Sequence, residues 1–258
     1  MTATAIDEQA LSVSQRTSLR VQSILGWIAF GAVGPLAVLF MRGIRANRIE
    51  GMREARRVYR QALLSGRPTV VCANHLTLTD SIYLHHGLDS LAAYMRSFRR
   101  LAWNVAAIEN FGRNPFVRTI TYLGKTLLID RAGDADHHRR VLDTITYLVA
   151  SGNVCTIFPE GGRSRTGRVE PDQVTYGIGR ILGRLDSPVV VCAYLRGERQ
   201  RSWGAFPAFG DTLHLRAEIL EPATREHGLR ASRDLARQVI EKLKTMENEH
   251  FARWGAAR

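Results

Sequence analysis

From residue 69 to residue 219, apolar residues come in short unbroken runs, separated by stretches in which they recur every three or four positions. Unbroken apolar runs of strand length mark strands covered on both faces, and spacing by three and four marks helices with one buried stripe. Strands are predicted over 69–73, 126–129, 154–158, 189–194 and 213–219, several of them as continuous apolar runs, with a weaker one over 103–108. The spaced stretches predict helices over 49–64, 80–94, 135–151 and 173–185. A last helix is expected over 232–253, with Ser232 as its N-cap and Leu235, Val239, Leu243 and Met246 along one face. Alternation of this kind predicts an α/β fold, a single domain with a largely parallel or mixed sheet flanked by helices.

Residues 21–41 fit neither pattern. They carry no charged side chain, and their length approaches that needed to cross the hydrocarbon core of a bilayer. The Gly34-Pro35 step can kink a helix or divide it, so the segment is expected to be an N-terminal membrane helix or a re-entrant helical pair. A cleaved signal peptide fits less well, because no small-x-small cleavage site follows the run. The expected organisation is a tail over 1–18, a membrane anchor over 19–41 and one folded domain over 42–258.

Charge sharpens this picture. The formal net charge is +12, and of 36 basic residues only Lys125, Lys242 and Lys244 are lysine. Arginine favours bidentate contact with phosphate, so an anionic partner surface is expected, although an arginine-biased genome produces the same composition. Arg42, Arg45, Arg48, Arg53, Arg56, Arg57 and Arg60 follow the apolar run. Only Arg16 and Arg20 precede it, diluted by Asp7 and Glu8. The positive-inside rule then puts the domain on the cytoplasmic face, with the arginines against an anionic bilayer surface. The compact size and arginine-rich composition suggest a bacterial inner membrane. No zinc-finger spacing, basic zipper or aromatic RNA-binding signature supports nucleic acid as the partner. Cys72, Cys155 and Cys192 each lie in an apolar run with no C-x-x-C pairing, and read as buried thiols in a reducing compartment.

Two short motifs carry candidate chemistry. Phe158-Pro-Glu-Gly-Gly-Arg-Ser-Arg-Thr-Gly-Arg168 follows a strand-like run. Gly161 and Gly162 let backbone amides approach a ligand, Arg163, Arg165 and Arg168 supply positive charge, and Glu160 can hold one of the arginines in place. That is the layout of a phosphate-binding turn, with a solvated basic loop as the bland reading of Arg165 and Arg168. Upstream, Asn74-His75-Leu-Thr-Leu-Thr-Asp80 places a histidine and an aspartate between a strand and a helix start. Folded back, Asp80 can accept Nδ1–H of His75 and leave Nε2 free as a base. The bland alternative has Asp80 capping the helix and His75 bonded to backbone. His138 and Asp143 repeat the spacing within one helix, where they point apart, and read as solvated surface. His85 and His86 complete no metal-ligand set with these residues.

Together these blocks resemble the glycerolipid acyltransferase superfamily, whose best-known members are the 1-acylglycerol-3-phosphate acyltransferases. Asn74-His75 through Asp80 is similar to the family's Asn-His-x4-Asp block. Gly124 through Asp130-Arg131 is similar to its Gly-x-(apolar)-Ile-Asp-Arg block, and Phe158-Pro159-Glu160-Gly161 with Arg163-Ser164 to its Phe-Pro-Glu-Gly-Thr-Arg-Ser block. Ser187-Pro188-Val189-Val190-Val191 is similar to the start of a fourth, apolar block. Gly162 departs from the usual threonine and brings the third block closer to the glycerol-3-phosphate and dihydroxyacetone-phosphate enzymes.

The resemblance implies an acyltransferase domain that moves a fatty acyl group from acyl-CoA or acyl carrier protein to a lipid hydroxyl, with no metal or other cofactor. Its implied acceptor is 1-acylglycerol-3-phosphate, giving phosphatidic acid. Glycerol-3-phosphate or another lyso-lipid, such as a lyso-ornithine lipid, is the alternative within the class. A non-catalytic lipid-binding protein is the alternative outside it. His75 and Asp80 are implied as the catalytic pair. Arg131, Glu160, Gly161, Gly162, Arg163, Ser164 and Arg165 are implied around the acceptor phosphate, with Asp130 as a structural partner for Arg131.

Overall fold

The computed structural model describes residues 11–112 and 114–255. They form one α/β domain around a seven-stranded sheet, preceded by a long apolar helix. The strands are β1 (Arg48–Glu50), β2 (Thr69–Ala73), β3 (Trp103–Ala107), β4 (Thr126–Ile129), β5 (Cys155–Ile157), β6 (Val189–Gly197) and β7 (Thr212–Leu220). Their spatial order is β1-β7-β6-β2-β5-β3-β4. Every neighbouring pair is parallel except β6 and β7, so the sheet is mixed by a single antiparallel step.

The helices are α1 (Val13–Val38), α2 (Met52–Leu64), α3 (Asp80–Leu88), α4 (Leu91–Arg96), α5 (Ile108–Phe111), α6 (Pro115–Leu123), α7 (Ala135–Ala150), α8 (Gly177–Leu182) and α9 (Gly228–Trp254). The unbroken apolar runs are explained by two cores. Val70 and Cys72 of β2, with Val190, Cys192 and Tyr194 of β6, pack under α7, α8 and α9. Val71 and Ala73, with Val191, Ala193 and Leu195, pack on the other face under α2 and α3. Alternate residues of one strand therefore serve opposite cores, as the pleat requires. The three cysteines are buried and unbridged.

Several boundaries differ from expectation, each for a local reason. The stretch 49–64 holds strand β1 and then α2, divided by Gly51 at φ 83°, where a Cβ would lie 2.0 Å from the Leu215 carbonyl oxygen. The helix expected over 80–94 is two helices, because Asp89 turns extended and Ser90 caps α4 by accepting from the Ala93 amide. Helix α8 is shorter than 173–185, and a 3-10 turn over Pro171–Gln173 precedes it. Helix α9 begins at Gly228, so Ser232 lies inside it and bonds back to the Gly228 carbonyl instead of capping. Helices α5 and α6 fall where no helix was expected.

The N-terminal segment is one continuous helix, not a re-entrant pair. It starts at Val13, where Ser12 and Gln15 form a reciprocal capping box, and it extends through Pro35 into a π-helical turn over Leu39–Ile44. Proline removes one intrahelical donor, and the wider turn just beyond it absorbs the mismatch. Residues 1–10 of the expected tail, with Asp7 and Glu8, lie outside the described residues. One face of α1 docks on the domain. Gln22, Gly26 and Gly34 are buried there, Gln22 Nε2 donates to the carbonyls of Tyr122 (3.0 Å) and Thr126 (3.2 Å), and Phe30 meets the rings of Tyr94 and Phe98. On the opposite face Val21, Ile24, Leu25, Ile28, Leu36 and Leu39 are exposed.

Candidate active site

Parallel strands β2 and β5 lie side by side, so their carboxyl ends deliver His75 and Glu160 to the same edge of the sheet. This is where open α/β sheets gather ligands. Asn74 sets the point at which the chain leaves β2. Its buried side chain donates to the Leu195 carbonyl (3.0 Å) and accepts from the Leu195 amide (2.8 Å), continuing the ladder to β6 with an amide side chain.

Beyond Asn74 the chain folds back on Asp80. Oδ2 of Asp80 accepts from the amides of Leu76 (2.6 Å) and Thr77 (2.8 Å) and lies 3.1 Å from His75 Nδ1, while Oδ1 accepts from the Thr77 hydroxyl (2.5 Å). The two readings of Asp80 are thus combined: the carboxylate braces the turn and also meets the imidazole. A carboxylate only accepts, so Nδ1 carries the proton and Nε2 presents its lone pair. Nε2 has no partner among the described residues. The ring is stacked on Phe158, with centroids 4.1 Å apart and planes at 20°. The His75 backbone is clamped from β5: its amide donates to Glu160 Oε1 (3.0 Å), and its carbonyl accepts from the Ser164 amide (2.9 Å).

Glu160 therefore does not hold an arginine. It fixes the base, and burial pushes its carboxyl pKa up to about 8, opposed by the His75 amide and reinforced by Glu247, Glu170 and Asp80. Gly161 takes φ 68°, and a Cβ there would lie 2.4 Å from Thr175 Cγ2. Gly162 has open space around it, and neither its amide nor that of Arg163 meets a protein acceptor among the described residues. Gly161→Ala is expected to lower stability by about 1–3 kcal/mol in thermal unfolding. Gly162→Thr should stay within about 0.5 kcal/mol of the parent. Equal effects of the two would refute this account of the turn.

Arg163 donates Nη1 to the Gly204 carbonyl (3.0 Å) and lies over the Trp203 ring at 4.6 Å. The same loop touches the catalytic turn, since the Gly204 amide donates to the Leu76 carbonyl (2.9 Å). Ser164 turns into its own loop: its hydroxyl donates to the Arg168 carbonyl (2.6 Å) and accepts from the Arg168 amide (3.0 Å). Arg165 is exposed and makes no polar contact among the described residues. Arg168 is exposed too, but its guanidinium lies over Phe251 at 3.6 Å, so it is not the purely solvated loop residue expected.

Arg131 follows β4 at this same edge and is exposed. Three strand spacings separate β4 from β2, about 14 Å, so Arg131 does not meet His75 directly. Asp130 pairs with its own turn instead of with Arg131, accepting the Ala132 amide (2.9 Å). His138 corrects the solvated-surface reading, since its Nε2 lies 3.0 Å from the Asp130 carbonyl while His137 Nε2 accepts the Asp130 amide (3.0 Å). Asp143 pairs with Arg184 at 2.6 Å. His85 is buried with Nε2 3.0 Å from the Thr156 hydroxyl, and burial lowers its pKa to about 4.

The clasp by Asn74, the stacking of Phe158 and the approach of Trp203 and Gly204 were not foreseen. Asn74 and Phe158 sit inside the motifs, but their partners are far away in sequence.

The acyltransferase family model matches residues 48–195, which hold the His75 turn, the Asp130-Arg131 turn and the Glu160–Arg165 turn. The chain belongs to the acyltransferase family and is an enzyme of acyl transfer on lipids. No curated protein matches it in sequence.

Proposed function

We propose that the protein is a membrane-bound O-acyltransferase that moves a fatty acyl group from acyl-CoA or acyl carrier protein to the hydroxyl of 1-acylglycerol-3-phosphate, giving phosphatidic acid. The observation that carries this reading is the His75 imidazole, held through Nδ1 by Asp80 with Nε2 free beside a turn of unpaired amides and arginines. Nε2 takes the proton of the acceptor hydroxyl as its oxygen attacks the thioester carbonyl. The tetrahedral intermediate expels the thiolate, which takes the proton back from the imidazolium. No acyl-enzyme forms. Base assistance of this kind is worth about 10²–10⁴ in rate. Arg163 and the free amides of Gly162 and Arg163 bind the acceptor phosphate, with Arg165 and Arg131 reaching in from the rim.

The exposed face of α1 serves membrane attachment. Val21 to Leu39 spans about 27 Å of helix, and Phe116 and Ile120 of the adjoining α6 add exposed apolar surface. Because the other face is fastened to the domain, the helix lies along the cytoplasmic interface of a bacterial inner membrane and does not cross it alone.

The test is transfer of labelled long-chain acyl groups by detergent-purified protein, with 1-acylglycerol-3-phosphate and glycerol-3-phosphate offered separately. His75→Ala is expected to lower kcat by about 10²–10⁴. Turnover that survives this change would sink the mechanism, and transfer to glycerol-3-phosphate alone would replace the acceptor. Ile24→Asp with Ile28→Asp should release the protein from sedimenting vesicles while transfer to detergent-dispersed acceptor persists.

A further inference from the structure

On the edge of the sheet opposite His75, the first turns of α1 and the domain enclose a cleft of about 660 Å³. Its floor is the amino-terminal end of the parallel strands, at Pro68, Trp103 and Asn153, and one wall is a single face of α1 carrying Arg16, Leu19, Arg20, Ser23 and Ile24. Arg99 faces them from the turn before β3. The length of β2, roughly 17 Å, separates this cleft from the His75 turn.

Among the described residues, the charges in the cleft are only partly balanced. Arg184 pairs with Asp143, but the guanidinium groups of Arg16, Arg20 and Arg99 meet no acceptor among the described residues. The one carboxylate on the lining, Asp186, accepts instead from the Ser187 hydroxyl. Arg16 also lies in the first turn of α1, where the helix dipole is itself positive and no acidic residue of that turn offsets it. Like charges held together around an open cleft favour an anion with several oxygens to share.

Much of the remaining lining is apolar, with Leu19, Ile24, Leu148 and Leu185 beside the buried face of Trp103, next to the neutral polar Ser23, Ser151 and Asn153. Ile24 belongs both to this lining and to the exposed stripe of α1, so the cleft is continuous with the surface assigned above to the bilayer. An inorganic anion would leave those apolar walls uncovered. An anionic amphiphile fills both parts.

We propose that this cleft is a second lipid site, binding one anionic phospholipid with its phosphate among Arg16, Arg20 and Arg99 and its acyl chains along Leu19 and Ile24. The orientation of α1 at a bilayer is shared with the reading above. The site itself requires neither the acceptor identity nor the His75 chemistry, and the test reads binding without turnover or membrane.

The full chain in neutral detergent is titrated calorimetrically with dioctanoyl phosphatidylglycerol, dioctanoyl phosphatidylcholine or inorganic phosphate. One saturable site is expected for phosphatidylglycerol and none of comparable affinity for the other two. Arg16→Ala/Arg20→Ala/Arg99→Ala should weaken it at least about tenfold. Arg225→Ala/Arg230→Ala/Arg237→Ala, which removes the same charge elsewhere, should leave it unchanged. Ser23→Glu puts a carboxylate among the three arginines without deleting any and should weaken binding in the same direction, which covers the case of a misfolded triple variant. Absence of a saturable site, equal loss in the two triple variants, or phosphate binding as well as the lipid would each overturn the proposal.

Discussion

Asp80→Asn is expected to lower kcat by about 10²–10⁴ with little change in thermal stability, whereas Asp80→Ala should lose both. The difference follows from what each carboxylate oxygen does. Oδ2 serves three nitrogens, those of Leu76, Thr77 and the His75 ring, and an asparagine oxygen placed there keeps all three. Oδ1 meets only the Thr77 hydroxyl, which can rotate and accept from an asparagine NH₂. The turn survives, the tautomer survives, and what disappears is the negative charge that stabilises the imidazolium as the acceptor proton is taken. Alanine removes every acceptor and leaves two buried amides unpaired, each costing about 1–3 kcal/mol. Steady-state kinetics beside thermal unfolding of both variants separates the roles. Full turnover in Asp80→Asn would show that the carboxylate acts only as a brace.

The double use of Asp80 also marks how far the sequence could be read. Strands β2 and β6 were legible because both of their faces are buried and their apolar runs are unbroken, whereas β4 is half-buried and β7 is interrupted by His214, Arg216 and Glu218. Strand β1 was not legible, since Arg48–Glu50 is short and mostly exposed, with only Ile49 turned to the core and the rest placed by pairing with β7. Helix α6 has Asn114 as cap and Pro115 at its first turn, signals that were present but overlooked beside a short apolar stretch. In the site, the proximity of His75 to Asp80 was legible because both lie in one turn. Glu160 was misassigned because its partner, the His75 amide, is 85 residues away and became adjacent only through the pairing of β2 with β5. A glutamate written among arginines invites an ion pair, and backbone topology supplied a different donor. His138 was misread for a more local reason: its helix position is legible, but the carbonyl it reaches lies in the turn that precedes the helix.

Glu160→Gln is expected to be more stable than the parent at pH 9, by a margin that shrinks as pH falls and vanishes only below about pH 4.5. Burial raises the folded carboxyl pKa from an ordinary 4.5 to about 8. The folded state thus holds a proton that the unfolded chain releases. The stability this contributes is present in full below the unfolded value and is lost as pH rises through about 8. Discounted for partial solvent access, the loss is about 2–4 kcal/mol, and glutamine, which does not ionise, escapes it. The protonated form also suits the proposed chemistry. Oε1 accepts the His75 amide, so the proton resides on Oε2, where it can donate to an acceptor phosphate that an ionised Glu160 would repel. KM for the phosphate-bearing acceptor should therefore rise above pH 8 in the parent and stay flat in Glu160→Gln. Glu160→Ala, lacking an acceptor for the His75 amide, should lose kcat at every pH. Unfolding temperature measured across pH 4 to 9, and KM across pH 6 to 9, for the three proteins decide it. A parent whose stability and KM both ignore pH through this window has an ionised Glu160, and the raised pKa is then wrong.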